Sequence, residues 1–294
     1  MSTRWTRFRD ALNRQIFLRG QAIAPHLSAR AIDRAAAAAA YPAEQLDWSH
    51  LQTYRENLTR TLGAPPSRAV VRAGVASWLR NFIEVLALQR WSTERIVGSV
   101  TVLGEERLRE AHAGPGAVVA LAHLANWDLA GAWACSTGLP VSTVAENLGE
   151  REFEAYKKIR AHLGMEVLAH DDTGALRWLT RAVGEGRVVC LLSERDFTRG
   201  GIEVDWAGNT VRMPAGPALI ARTSGAALFG AVTHYVPGGI VLELTEVEHR
   251  PGREGLAAMT QDLADQFVAG IRRYPQDWHM MQPFFDLPAT GRTR

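Results

Sequence analysis

From residue 100 onward the chain alternates short apolar runs with amphipathic stretches. Strands are predicted at 100–104, 117–123, 141–146, 165–170, 187–194, 227–236 and 239–247, where β-branched and other apolar residues cluster. Between most of them the apolar positions recur at helical spacing, over 126–138, 151–164, 173–186 and 214–225, and a longer helix closes the chain over 253–275. Nearly continuous apolar strands alternating with helices predict a parallel sheet covered on both faces. The last two strands are separated only by a Pro-Gly turn, which predicts an antiparallel hairpin.

The first ninety residues carry a different pattern. Trp5, Phe8, Leu12 and Ile16 recur at intervals of three and four, forming one apolar stripe among Arg4, Arg7, Arg9, Arg14 and Arg19. Such a helix can lie in an anionic bilayer interface or pack on the rest of the domain, and the pattern leaves both open. The alanine-rich run at 30–42 predicts a helix stopping before Pro42, and 67–91 predicts a wider-faced core helix. The expected architecture is therefore a single α/β domain over 1–294. It has a central mixed, mostly parallel sheet with helices on both faces, ending in an antiparallel hairpin (95–285), and an N-terminal helical layer (1–92).

Composition narrows the function classes. A net charge of +2 gives no reason to expect nucleic acid. The opening residues lack the apolar segment of a secretory signal, and no uninterrupted apolar run reaches the ~18 residues of a membrane span. Cys135 and Cys190 fit neither a metal spacing nor a disulfide framework, so buried free thiols in a reducing compartment are expected, and no metal.

The candidate chemistry lies beyond predicted strand ends, where ligands of open α/β sheets bind. His123 follows one such strand, and Glu194, Arg195 and Asp196 follow another. Asn126 is a candidate helix N-cap, which would set Asp128 in the first helical turn. Asp128 could then accept from Nδ1 of His123 and leave Nε2 free as a base, the base-and-orienter half of a triad. A hydrogen-bonded core histidine and a first-turn aspartate are the bland alternative. There is no G-x-S-x-G elbow, so a catalytic pair would need its nucleophile from the substrate.

The stretch "AHLANWDLAG" resembles the H-x4-D/E block of the lysophospholipid acyltransferase superfamily, and more closely its lipid A late acyltransferase branch. The segments 143–168 and 189–226 resemble that branch's second and third blocks, and "YPQDWHMMQPFFD" resembles its closing segment. Within the branch, "ERD", "TVAENL" and "WHMMQ" are most similar to the actinobacterial enzymes that acylate phosphatidylinositol mannosides. The resemblance implies acyl transfer from acyl-CoA, with no further cofactor, to a mannose hydroxyl of a glycolipid. It also implies a peripheral position on the anionic cytoplasmic face of the plasma membrane. It casts His123 as base, Asp128 as its orienter and Glu194 as part of the relay or a contact to the acceptor sugar, with Asp196 and then Glu203 as alternatives for that glutamate. Arg160, Asn126, Arg195, Asp196, Met213 and Pro214 are the implied substrate-binding residues.

Overall fold

The computed structural model describes residues 23–43, 49–146, 150–196 and 200–285. The basic amphipathic helix expected around residues 4–19 lies outside them. The N-terminal layer consists of α1 (Ala29–Ala43), α2 (Ser49–Leu62), α3 (Arg68–Leu88) and the short α4 (Thr93–Gly98). Contrary to the expected stop, α1 runs through Pro42. Proline falls there in the last turn, where its missing N–H forfeits a single helical bond. Ser67 starts α3 by accepting from the Val70 N–H. Gly74 lets α3 lie against α2, since a Cβ there would fall 2.1 Å from the Tyr54 hydroxyl.

Seven strands form the main sheet: β1 (Val100–Leu103), β2 (Ala117–Leu121), β3 (Val141–Ala145), β4 (Glu166–Ala169), β5 (Val188–Leu192), β8 (Ala227–Val236) and β9 (Gly239–Val247). Their order is β1-β9-β8-β2-β5-β3-β4, and every pairing is parallel except the expected β8–β9 hairpin. The strands and helices predicted within the described residues are all present, within a few residues of their expected limits. Sequence reading missed the separate hairpin of β6 (Ile202–Trp206) and β7 (Asn209–Met213). Its two loop residues, Ala207 and Gly208, both have positive φ, as a tight hairpin turn requires.

Helices α5 (Glu105–Ala113), α6 (Trp127–Ser136), α7 (Glu150–His162), α8 (Ala175–Gly184), α9 (Gly216–Ser224) and α10 (Gly252–Arg273) complete the fold. Central strand β2 shows why both faces are covered. Val118 and Ala120 enter a core shared with α2, α8, α9 and α10, while Ala117, Val119 and Leu121 enter another shared with α5 and α6. The chain then turns back behind the sheet's carboxyl edge. Residues 275–282 form a strap held by α2: Tyr54 Oη donates to the Pro275 carbonyl (3.2 Å), and Asn57 Nδ2 to those of Met280 (2.9 Å) and Gln282 (2.8 Å).

Candidate active site

β2 and β5 are parallel neighbours with Leu121 opposite Leu192, so the residues two positions beyond each strand come together. Those residues are His123 and Glu194. Glu194 Oε1 accepts from both the His123 backbone N–H (2.7 Å) and Nδ1 (2.8 Å). The carboxylate is fully buried, whereas the His123 side chain is 28% exposed. Burial opposes ionisation of Glu194, yet the His123 ring and the backbone N–H groups prevail and hold its carboxyl below the usual range. A carboxylate on Nδ1 puts the ring proton there and leaves Nε2 able to take another. The Trp127 ring meets the His123 ring edge-on at 5.1 Å and limits its rotation.

The expected bond from His123 Nδ1 to Asp128 is absent, because Glu194 has taken that nitrogen. Asn126 does cap α6, accepting from the Leu129 N–H at 2.8 Å, and Asp128 does lie in its first turn. From there Asp128 faces α7, where Arg160 grips it with Nε (2.6 Å) and Nη2 (3.3 Å). Two of the five guanidinium N–H donors are thereby used.

Beside these groups a cavity of about 770 Å³ opens across the carboxyl ends of β2, β3 and β5. His123, Trp127, Asp128, Arg160, Arg195, Asp196 and Pro214 border it, with Trp78, Phe82 and Val85 of α3 and Leu176 and Leu179 of α8 as apolar walls. A narrow apolar pocket of about 60 Å³ adjoins it beneath α6 and shares Trp127, Asp128, Val144, Arg160 and Leu192. Trp133 and Cys190 border that pocket, and both cysteines are free thiols.

Two residues expected at the substrate do not border the cavity. Asn126 is fully buried with both ends of its amide engaged, since Nδ2 donates to Glu84 at 2.8 Å. Met213 ends β7 with its side chain in the core, because strand alternation turns it inward with Val211 and Val204. Arg195 donates to Gln282 of the strap, and Asp196 accepts from the Gly201 N–H at 2.7 Å. Glu203 is removed from the dyad: it lies on β6, paired with Arg212. Sequence reading did not single out Glu146 and His170, which border the cavity just beyond β3 and β4. The strand-end rule that found His123 applies to them equally.

The family model for bacterial lipid A biosynthesis acyltransferases matches residues 12–286. The chain belongs to that family. A curated relative from Mycolicibacterium smegmatis is 38% identical over 250 residues, covering 82% of each chain, and bears the name phosphatidylinositol mannoside acyltransferase. A relative from Mycobacterium tuberculosis bears the same name and is 37% identical, over 78% of this chain and 75% of its own. An acyltransferase of this family must bring an acyl donor, an acceptor nucleophile and a proton acceptor together. Among the described residues, no serine, threonine or cysteine is hydrogen-bonded to His123, and the nearby Ser193 hydroxyl turns toward the Leu121 carbonyl (3.5 Å).

Proposed function

We propose that this acyltransferase moves a long, palmitoyl-type chain from acyl-CoA to a mannose hydroxyl of a phosphatidylinositol mannoside, by direct attack and without an acyl-enzyme. The His123–Glu194 pair at the mouth of a largely apolar cavity is the observation that carries this reading. His123 Nε2 takes the proton of the attacking hydroxyl, Glu194 fixes the ring and offsets its positive charge, and the hydroxyl oxygen attacks the thioester carbonyl. The intermediate collapses with loss of the CoA thiolate, which regains a proton from the imidazolium. Arg160, with N–H donors beyond those given to Asp128, supplies positive charge beside the cavity for the developing oxyanion. The apolar pocket under α6 accepts part of the acyl chain.

The names and coverage of the relatives support the acceptor. No described helix is long and apolar enough to cross a membrane, in keeping with peripheral attachment to the anionic cytoplasmic face, which the arginine-rich segment before residue 20 would serve. The deciding experiment offers labelled palmitoyl-CoA with a panel of glycolipid and phospholipid acceptors. Product on an inositol mannoside, abolished by His123→Ala, is the expected result. Label on another lipid hydroxyl would move the acceptor, and turnover to free palmitate without acceptor would make the enzyme a thioesterase.

A further inference from the structure

The backbone around His123 has left β2 and is not yet in α6. It includes Ala125 at φ 48°, a left-handed conformation uncommon for alanine. A loop with such a residue keeps one shape only when its surroundings fix it. The strap supplies that fixation. His279 N–H donates to the His123 carbonyl (2.8 Å), the Ala125 N–H donates to the Asp277 carbonyl (2.8 Å), and Leu124 forms a β-bridge with Trp278.

The strap's own side chains converge on one hydroxyl. Ser77 Oγ lies 2.7 Å from Asp277 Oδ1 and 2.8 Å from His279 Nε2, and all three residues are buried. The second Asp277 oxygen accepts from the Tyr235 N–H at 2.9 Å. A serine has one proton to give, and the carboxylate takes it; His279 must then donate from Nε2 and keep a bare Nδ1. Among the described residues that buried Nδ1 meets no acceptor, consistent with this assignment. Burial, and to a lesser extent His123 itself, depresses His279 to about 3, so the ring beside Trp127 stays neutral while His123 works. Seven residues along α3, on the same face, Glu84 accepts from Asn126 Nδ2 at the other end of the loop (2.8 Å).

We infer that Ser77 is a positioning residue for acyl transfer: its single hydroxyl locks Asp277 and His279, and through the strap backbone it holds His123 and the Ala125 turn in the geometry of attack. The inference rests on the proposed role of His123 as base, but its spectroscopic test does not. Ser77 is set apart from a merely structural residue by where its loss would be felt. Binding surfaces bordering the cavity stay in place, so KM should barely move while kcat falls.

The test compares wild type with Ser77→Ala, Ser77→Thr and Ser77→Cys in palmitoyl transfer from palmitoyl-CoA to a phosphatidylinositol mannoside. Expected are a kcat loss of ~10- to 100-fold in the alanine and cysteine variants with KM within about twofold, and recovery to within a few-fold of wild type in the threonine variant. In parallel, nitrogen NMR of labelled histidine, with His279 assigned by difference from His279→Gln, should show a neutral Nε2–H ring from pH 5 to 8. Ser77→Ala should change that signal. Wild-type kcat in folded Ser77→Ala, a KM rise matching the kcat loss, threonine no better than cysteine, or an unaltered His279 signal would each overturn the inference. If the alanine variant loses its fold, the threonine–cysteine pair decides alone. If the wild type itself acylates no mannoside, the acceptor reading has failed, and the NMR comparison still tests the clamp.

Discussion

The residue that pairs with His123 comes from 71 positions away rather than five, and this separates the tasks of two carboxylates. Glu194 touches the ring, so Glu194→Gln should act on chemistry: kcat down by ~10³-fold with KM little changed, read from steady-state transfer kinetics. Asp128 touches Arg160 instead. Asp128→Ala strands a cation whose side chain is only 14% exposed, and should cost about 3–5 kcal/mol of stability in denaturant titration. Equal kcat losses without any stability loss in Asp128→Ala would return it to the role of orienter. The sequence singled out His123 and both carboxylates, but not which carboxylate meets the ring. That choice depends on the alignment of β2 with β5, and strand register is a tertiary fact that neither strand's residues encode alone. Asn126 was legible as a cap from its residue type and place; its second bond, to Glu84, was not.

At the scale of elements, apolar runs were sufficient to find every strand of the main sheet, because buried parallel strands are apolar on both faces. The β6–β7 hairpin was passed over although Ile202, Val204 and Trp206 alternate inward with Val211 and Met213 across it. Its outward positions Glu203, Asp205, Thr210 and Arg212 are polar, and the segment, read as a block resembling a family motif, was not weighed as strand. The crossing of α2 and α3 is another element-scale feature that residue type alone did not announce. Alanine at position 74 would add about 1 kcal/mol of helix propensity. Its Cβ, however, would meet the Tyr54 hydroxyl at 2.1 Å, and a rigid ring has to move. Overpacking of this kind costs about 1–3 kcal/mol, so Gly74→Ala should lower the thermal midpoint, and displaced Tyr54 should loosen the strap at Pro275. An unchanged midpoint would show that the helices part at no cost.

For the whole molecule, the same buried network that orders the site sets its response to acid. His279 is depressed to about 3 in the folded state against an ordinary 6.5. The unfolded chain therefore binds a proton below pH 6.5 that the folded chain refuses, and this contribution to stability is full above 6.5 and lost as pH falls toward 3. Relative to His279→Gln, wild type should lose about 1.4 kcal/mol of unfolding free energy per pH unit below 6.5. Glu194 works in the same direction at lower pH: its depressed carboxyl stabilises the fold above the ordinary value of 4.5 and ceases to as pH falls through its folded value. Asp277, raised mainly by burial, works the opposite way, which is why the variant comparison rather than the raw profile isolates His279. Parallel stability curves for wild type and His279→Gln between pH 7 and 4 would contradict the assignment.

The strap also has a consequence in time. His123 leaves the ribosome early, and Glu194 about 70 residues later, but the His279 N–H that meets the His123 carbonyl is made much later still. Helices α2 and α3, ready from the first hundred residues, must wait for the same segment to fill the face that grips it. At ~5–20 residues per second, roughly ten seconds or more separate the synthesis of Ser77 from that of Asp277. Through that interval the growing chain carries His123 without the backbone contacts that hold it in the folded protein. Acyl transfer becomes available only once the strap has been made and residues 275–282 have settled on α2 and α3.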